Sequence, residues 1–406
     1  MRPSLTLPAP GSTAPPTARR SYVPALDGIR GIAIIGVLLF HTGSFAGGFL
    51  GVDLFFALSG YLITDLLLRE TAINGRISLL GFWARRTRRL LPALAAMLCV
   101  VAAAVWMIGD ADLVRSTRSD GPWVAANLTN WRMIAEAAGY WNRFGADRVF
   151  EHLWSVSVEE QFYLVWPLIV LLVAWRGVRV QGRVAAIALV GAGVSLALMI
   201  AFVDPADPTR AYMGSDTRAF SILLGAAAAT GPVRSVLRRV TGLWRDGISV
   251  ALILVLAAIW VMADGTRSTW LFTGGLFLHS ALSAGLIGLI ANGSGGPVAS
   301  LLGWRPLRWV GRISYGLYLW HWPVIVLLTT LNTGLTGWLM TATVVGIATV
   351  LAALSHRFVE NPVRFHAGWA RGRTGTVLCV LTAAVLVFGW ALLPEPPATM
   401  IDVDVL

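Results

Sequence analysis

Apolar residues gather along the chain into eleven stretches, near residues 29–48, 49–68, 90–109, 154–174, 184–203, 217–232, 248–263, 271–291, 313–331, 334–354 and 375–393. Each is about as long as the roughly 20 residues a helix needs to cross a hydrocarbon layer. Hydrocarbon offers no partner to an open backbone N–H or C=O, so each stretch is predicted to be a helix. The pattern predicts an all-α, polytopic bundle of about eleven spanning helices, the first carrying a histidine near its middle.

Composition agrees, since 56% hydrophobic and 13% charged residues over 406 positions lies outside the range of a water-soluble domain. All 32 basic residues are arginine, and counting alternate loops puts 24 on one side and eight on the other. Arginine is retained in cytoplasmic loops, so the N-terminus is expected in the cytoplasm and, with an odd number of spans, the C-terminus outside the cell membrane. The net charge of +11 then lines the cytoplasmic rim, where it faces membrane lipid head groups and anionic cytosolic ligands; nucleic acid is not expected as a partner.

Cys99 and Cys379 both fall in apolar stretches, which argues against a disulfide framework and against a metal site. Residues 1–20, rich in Pro, Ser, Thr and Ala, read as a disordered cytoplasmic tail. Residues 21–365 read as one membrane domain, and residues 366–406 as an additional transmembrane helix with a short extracytoplasmic tail. The longest loop, from Asp110 to Leu153, carries Trp123, Trp131, Tyr140 and Trp141 and predicts a cap at the interface. Pro92 and Pro232 fall at stretch ends, so no pair of interrupted helices is expected.

Polar residues inside the apolar stretches carry the chemistry. His41 follows Arg30 by eleven positions, which at about 100° per residue returns to within roughly 20° of the same helix face. Asp27 shares that face and is placed to pair with Arg30. An ionisable group in mid-span costs about 2.5–3.5 kcal/mol on insertion scales, so a functional role is the default reading of His41. Arg85, Arg86, Arg88 and Arg89 stand just before the third stretch, where guanidinium forks at a helix N-terminus suit phosphate. Arg86 and Arg89, one turn apart, are the preferred clamp.

Further along, Asp53 opens the second stretch among Gly51, Ser59 and Gly60, residues that close helix packing also explains. Glu159 and Glu160 are adjacent, so at most one faces a shared cavity, and Glu159 shares its face with Ser155 and Tyr163. Asp216-Thr217-Arg218 starts the sixth stretch. In the ninth, Ser314, Tyr318 and His321 fall on one stripe.

Seven stretches, Leu26 to His41, Gly51 to Thr64, Phe82 to Pro92, Leu153 to Pro167, Asp216 to Gly225, Gly311 to Pro323 and Phe358 to Pro362, together resemble the acyltransferase-3 family of integral membrane acyltransferases. The resemblance implies a bundle of ten helices, with an eleventh in members that carry an extracytoplasmic esterase-like domain. This chain has the eleventh stretch and stops soon after it, so such a domain is either absent or belongs to a longer protein.

The family's pairing of a basic residue and a histidine falls on Arg30 and His41. Its Arg-x-x-Arg motif falls on Arg86 and Arg89, although Arg85 and Arg88 share the spacing. The activity implied is transfer of an acyl group, acetyl or longer, from cytoplasmic acyl-coenzyme A to a hydroxyl of an extracytoplasmic carbohydrate or glycolipid. His41 would serve as general base or transient acyl carrier, with Arg30 and Asp27 on its helix face in the catalytic group, and Glu159 would orient the acceptor's hydroxyls. Asp53, Tyr163, Arg218, Ser314, Tyr318 and His321 are the expected substrate contacts. A competing reading of the same intramembrane residues is a proton-coupled transporter or a flippase for a polysaccharide precursor.

Overall fold

A computed structural model describes residues 22–136, 148–265, 267–293, 295–368 and 372–394. Residues 1–20, Tyr140, Trp141 and the acidic end of the C-terminal tail lie outside the described residues. Among the described residues the chain is helical throughout, with no strand.

The helices in order are α1 (Pro24–His41), α2 (Gly51–Asn74), α3 (Leu79–Ile108), α4 (Ala111–Ala125), α5 (Thr129–Ala135), α6 (Trp154–Trp175), α7 (Val180–Phe202), α8 (Thr209–Met213) and α9 (Ser215–Ala228). They continue with α10 (Gly231–Leu237), α11 (Gly242–Met262), α12 (Gly275–Asn292), α13 (Pro297–Leu302), α14 (Arg305–Arg312), α15 (Ser314–Thr330), α16 (Gly337–Ser355) and α17 (Gly372–Phe388). This is a multi-pass membrane protein. Among the described residues eight helices are long and apolar enough to cross a membrane, or nine if α9 and α10, bent by 70°, form one broken span. The structure does not establish eleven by this measure, because α15 and α17, at 17 residues each, fall short of full crossing length.

Three local expectations change. The first apolar stretch is not one helix, and His41 is the last residue of α1 rather than its midpoint. Its end is set by turn chemistry that a hydropathy window averages away: Thr42 Oγ1 donates to Leu38 O at 3.0 Å, and Gly43 follows with φ 71°. Second, α3 begins at Leu79, where the Ser78 hydroxyl accepts from Gly81 N–H at 3.2 Å. The four arginines and Pro92 are therefore inside the helix, and the arginines gain nothing from a helix N-terminus. Third, the sixth stretch does not run as one helix: α9 stops at Ala228 and, after a 70° bend, Pro232 stands in the first turn of α10.

α2 lies at the centre, and its contact with α9 is closest at two reciprocal glycines. A Cβ on Gly60 would stand 1.8 Å from Ile222 O, and one on Gly225 would stand 1.9 Å from Ala57 O, so only glycine permits this crossing. The crossing brings Asp53 of α2 beside Arg218 of α9.

The cap consists of α4 and α5. Asp120, 2% exposed, faces Arg148 at 3.3 Å and Arg132 at 3.6 Å, while Glu136 joins both arginines. Burial, against the pull of the two guanidiniums, raises the Asp120 carboxyl to about 6. Between its unfolded value of about 4 and that raised value the folded chain binds more protons, so this group's contribution to stability is greatest below the window and declines as pH rises through it. Thermal unfolding in detergent at pH 4.5 and 7.5 should show this decline in the wild type relative to Asp120→Asn. An equal pH response in both proteins would contradict the assignment.

Candidate active site

Five helices, α1, α2, α3, α6 and α15, line a cavity of about 80 Å³. Arg86 enters it from α3 and meets both carboxylates of α6, Glu159 at 3.6 Å and Glu160 at 3.8 Å, while its guanidinium lies 3.4 Å over the Tyr163 ring. The Tyr163 hydroxyl and the Ser59 hydroxyl both donate to Glu159. Adjacent residues on one helix do face the same cavity here, contrary to the sequence expectation. The reason is reach: Arg86 sits between them and each carboxylate bends toward it. Ser59, which packing seemed to explain, is a cavity hydroxyl.

Arg89 also lines the cavity, and its charged neighbours include Arg30, Arg86 and Arg364, with Glu360 facing both Arg89 and Arg364. Two wider clefts, of about 620 and 680 Å³, adjoin the cavity and share Arg86 and Arg89 with it. Arg85, paired with Glu70 at 3.3 Å, lines both clefts; Arg88, donating to Ala84 O at 3.1 Å, lines one. Of the two candidate Arg-x-x-Arg pairs, only Arg86 and Arg89 line all three spaces. Arg30 lines the cavity too and pairs with Asp27 at 3.6 Å, as the helical spacing predicted. Arg364 carried no signal beyond its place just after Glu360-Asn361-Pro362.

At the cap end the cavity closes on Tyr318, whose hydroxyl donates to His152 O at 2.8 Å and lies 2.5 Å from Ser155 Oγ. Ser314 of the same stripe lines the wall. Behind Tyr318, with ring centroids 5.4 Å apart, stands His321, and His321 Nε2 lies 3.1 Å from His41 Nδ1. Half-buried His41 does not line the cavity itself. Each histidine also sets Nδ1 3.1 Å from the carbonyl one turn back, Leu317 O for His321 and Val37 O for His41.

Two acceptors facing each other would repel, so the network assigns hydrogen to Nδ1 of both rings. His321 Nε2 then accepts from His41 Nδ1–H, and His41 carries its lone pair on Nε2. Phe40 and Trp322 wall the His41 ring at 5.1 Å each, and buried His152 stands edge-on to His321 at 5.3 Å. From the sequence His152 carries no role and reads only as the outer end of the fourth apolar stretch.

Asp53 and Arg218 are placed elsewhere. Both are fully buried, 2.8 Å apart, with Ser221 Oγ donating to Asp53 at 2.8 Å and Tyr212 under the guanidinium at 4.6 Å. They line none of the three spaces described above.

A family model described as an acyltransferase domain matches residues 23–357. The chain belongs to the acyltransferase-3 family. Its relatives include a putative peptidoglycan O-acetyltransferase, YrhL, of Bacillus subtilis, 36% identical over 358 residues that cover 86% of this chain and 56% of the relative. The peptidoglycan O-acetyltransferase OatA of Listeria monocytogenes is 36% identical, covering 85% and 56%. The O-acetyltransferase OatA of Staphylococcus aureus is 33% identical, covering 84% and 57%. The chain thus spans little more than half the length of these relatives. No solved structure matches it significantly.

If Asp53 and Arg218 are structural rather than substrate contacts, Asp53→Asn should leave an uncompensated buried charge and cost about 3–5 kcal/mol, while a double variant with Arg218→Met should regain most of it. Thermal unfolding in detergent checks both. A single variant as stable as wild type would return the pair to the list of substrate contacts.

Proposed function

We propose that the chain transfers an acyl group, acetyl by the names of its relatives, from cytoplasmic acyl-coenzyme A to a hydroxyl of an extracytoplasmic carbohydrate. The observation that supports this reading is the course of one polar path, from clefts rimmed by arginine, through the five-helix cavity, to the Tyr318 wall and the His321–His41 pair behind it. With the arginine-rich loops in the cytoplasm, the wide clefts face the donor and the cap end faces the acceptor.

The residues fit the donor's chemistry. Arg89, with Arg30 and Arg364 beside it, supplies charge for phosphate, whereas Arg86 already answers two carboxylates and acts first as a brace. When bound, the donor supplies an activated thioester carbonyl. His41 Nε2 takes the proton of the acceptor hydroxyl as the new ester C–O bond forms and the C–S bond breaks. The imidazolium then returns that proton to the departing sulfur. The same lone pair would serve a transient acyl-histidine if the acceptor arrives later. Of the other acceptor contacts, Glu159, Ser314 and Tyr318 belong to the cavity wall and Tyr163 to the adjoining cleft.

Two outcomes follow for the purified chain in liposomes, read as thiol released from acetyl-coenzyme A. His41→Ala should lower turnover by about 10²–10⁴-fold while leaving the protein folded and inserted, and near-normal turnover would refute the role. Arg89→Gln should raise KM for acetyl-coenzyme A by roughly 10–100-fold with a smaller effect on kcat, as expected for loss of a charged contact to phosphate. An unchanged KM would remove Arg89 from the donor site.

A further inference from the structure

We propose that His321 is a positioning residue: its neutral ring accepts the Nδ1 hydrogen of His41 and holds His41 in the tautomer and orientation that present Nε2 as the base. The inference rests on the reading of His41 as the reacting group, and goes beyond it by giving His321 a role other than contact with substrate.

Three observations carry it. His321 Nδ1 faces Leu317 O at 3.1 Å, which fixes its own tautomer and leaves Nε2 as an acceptor. That Nε2 lies 3.1 Å from His41 Nδ1. His321 is fully buried, so water does not compete for the acceptor. Val37 O also orients the His41 hydrogen, but it belongs to α1 itself, whereas His321 ties the ring to α15.

The arrangement does the work of the third member of a nucleophile–base–orienter set, with a neutral ring in place of a carboxylate. A neutral acceptor orients the base without adding a charge to a low-dielectric interior. It gains strength when His41 becomes an imidazolium, because a hydrogen bond from a charged donor is worth more than one between neutral groups. The contribution is therefore larger in the transition state than in the resting enzyme, and it belongs in kcat rather than in donor affinity. Trp322, next to His321, donates to Arg148 O at 2.9 Å, so the backbone just before α6 holds the middle of α15 in place.

The test compares His321→Leu, which fills the space without an acceptor, with His321→Gln, whose amide oxygen keeps one, in the full chain in liposomes. Acetyl-coenzyme A is the donor and N-acetylglucosamine oligosaccharides are the acceptor probe. H321L is expected to lose roughly 10–100-fold in kcat with KM for acetyl-coenzyme A unchanged, and H321Q to recover at least about a tenth of wild-type kcat. H321L within about twofold of wild type, H321L altering KM alone, or H321Q falling below that tenth while melting like wild type would each overturn the proposal. H321Q decides the matter by itself if H321L does not fold. His41→Ala in the same assay separates the two ideas: an active H41A defeats the base, while an inactive H41A beside a normal H321L defeats only the positioning role.

Discussion

A guanidinium placed among membrane helices has to be answered, and the way Arg86 is answered shapes everything around it. Two carboxylates from α6 and the face of Tyr163 receive its charge, and Ser59 and Tyr163 supply hydrogen bonds to Glu159. One knot therefore ties α2, α3 and α6 together and at the same time walls the cavity. Removing any member leaves a buried charge without its partner, which costs far more than the intact pair contributes. The cavity is polar because the helices need that knot.

The depth of the knot matters as much as its chemistry. Arg86 lies seven residues, about 10 Å, from the start of α3, and Glu160 lies six residues, about 9 Å, from the start of α6, which runs the opposite way. Groups assigned to opposite sides of the membrane by loop charge thus meet in one cavity. Tyr318, with its bonds to Ser155 and His152, stands at the end of the cavity nearest the start of α6.

Much of this was legible in the sequence. Apolar periodicity gave the helices, helical spacing gave the Asp27–Arg30 pair and the Ser314–Tyr318–His321 stripe, and the resemblance gave the family. The rest was hidden for definite reasons. A hydropathy window does not register the polar turn at Thr42-Gly43, so His41 was placed in mid-span. The helical start at Leu79 precedes the apolar stretch, so the arginines seemed to stand at a helix terminus. Spacing on one helix cannot show that an arginine from another will draw two adjacent carboxylates together, nor that Asp53 and Arg218 would spend their charges on each other. The His41–His321 contact joins positions 280 residues apart and has no local signature.

The two ionic centres show how a bundle can use the same residue types for different ends. Asp53 and Arg218 pair with each other at 2.8 Å with no exposure and line neither the cavity nor its two clefts. In the cavity the account does not close so neatly. Asp27 answers Arg30, Glu159 with Glu160 answers Arg86, and Glu360 is shared between Arg89 and Arg364, while Arg89 also stands beside three other guanidiniums. A pathway built to carry protons or cations would place surplus carboxylate along its length, because a fixed positive charge in a low dielectric repels them over the whole cavity. Arg86 and Arg89, at the junction of the cavity and its two clefts, instead place positive charge where a ligand that brings its own negative charge would meet it, which is the sense in which the proposed phosphate-bearing donor suits this geometry better than transport does.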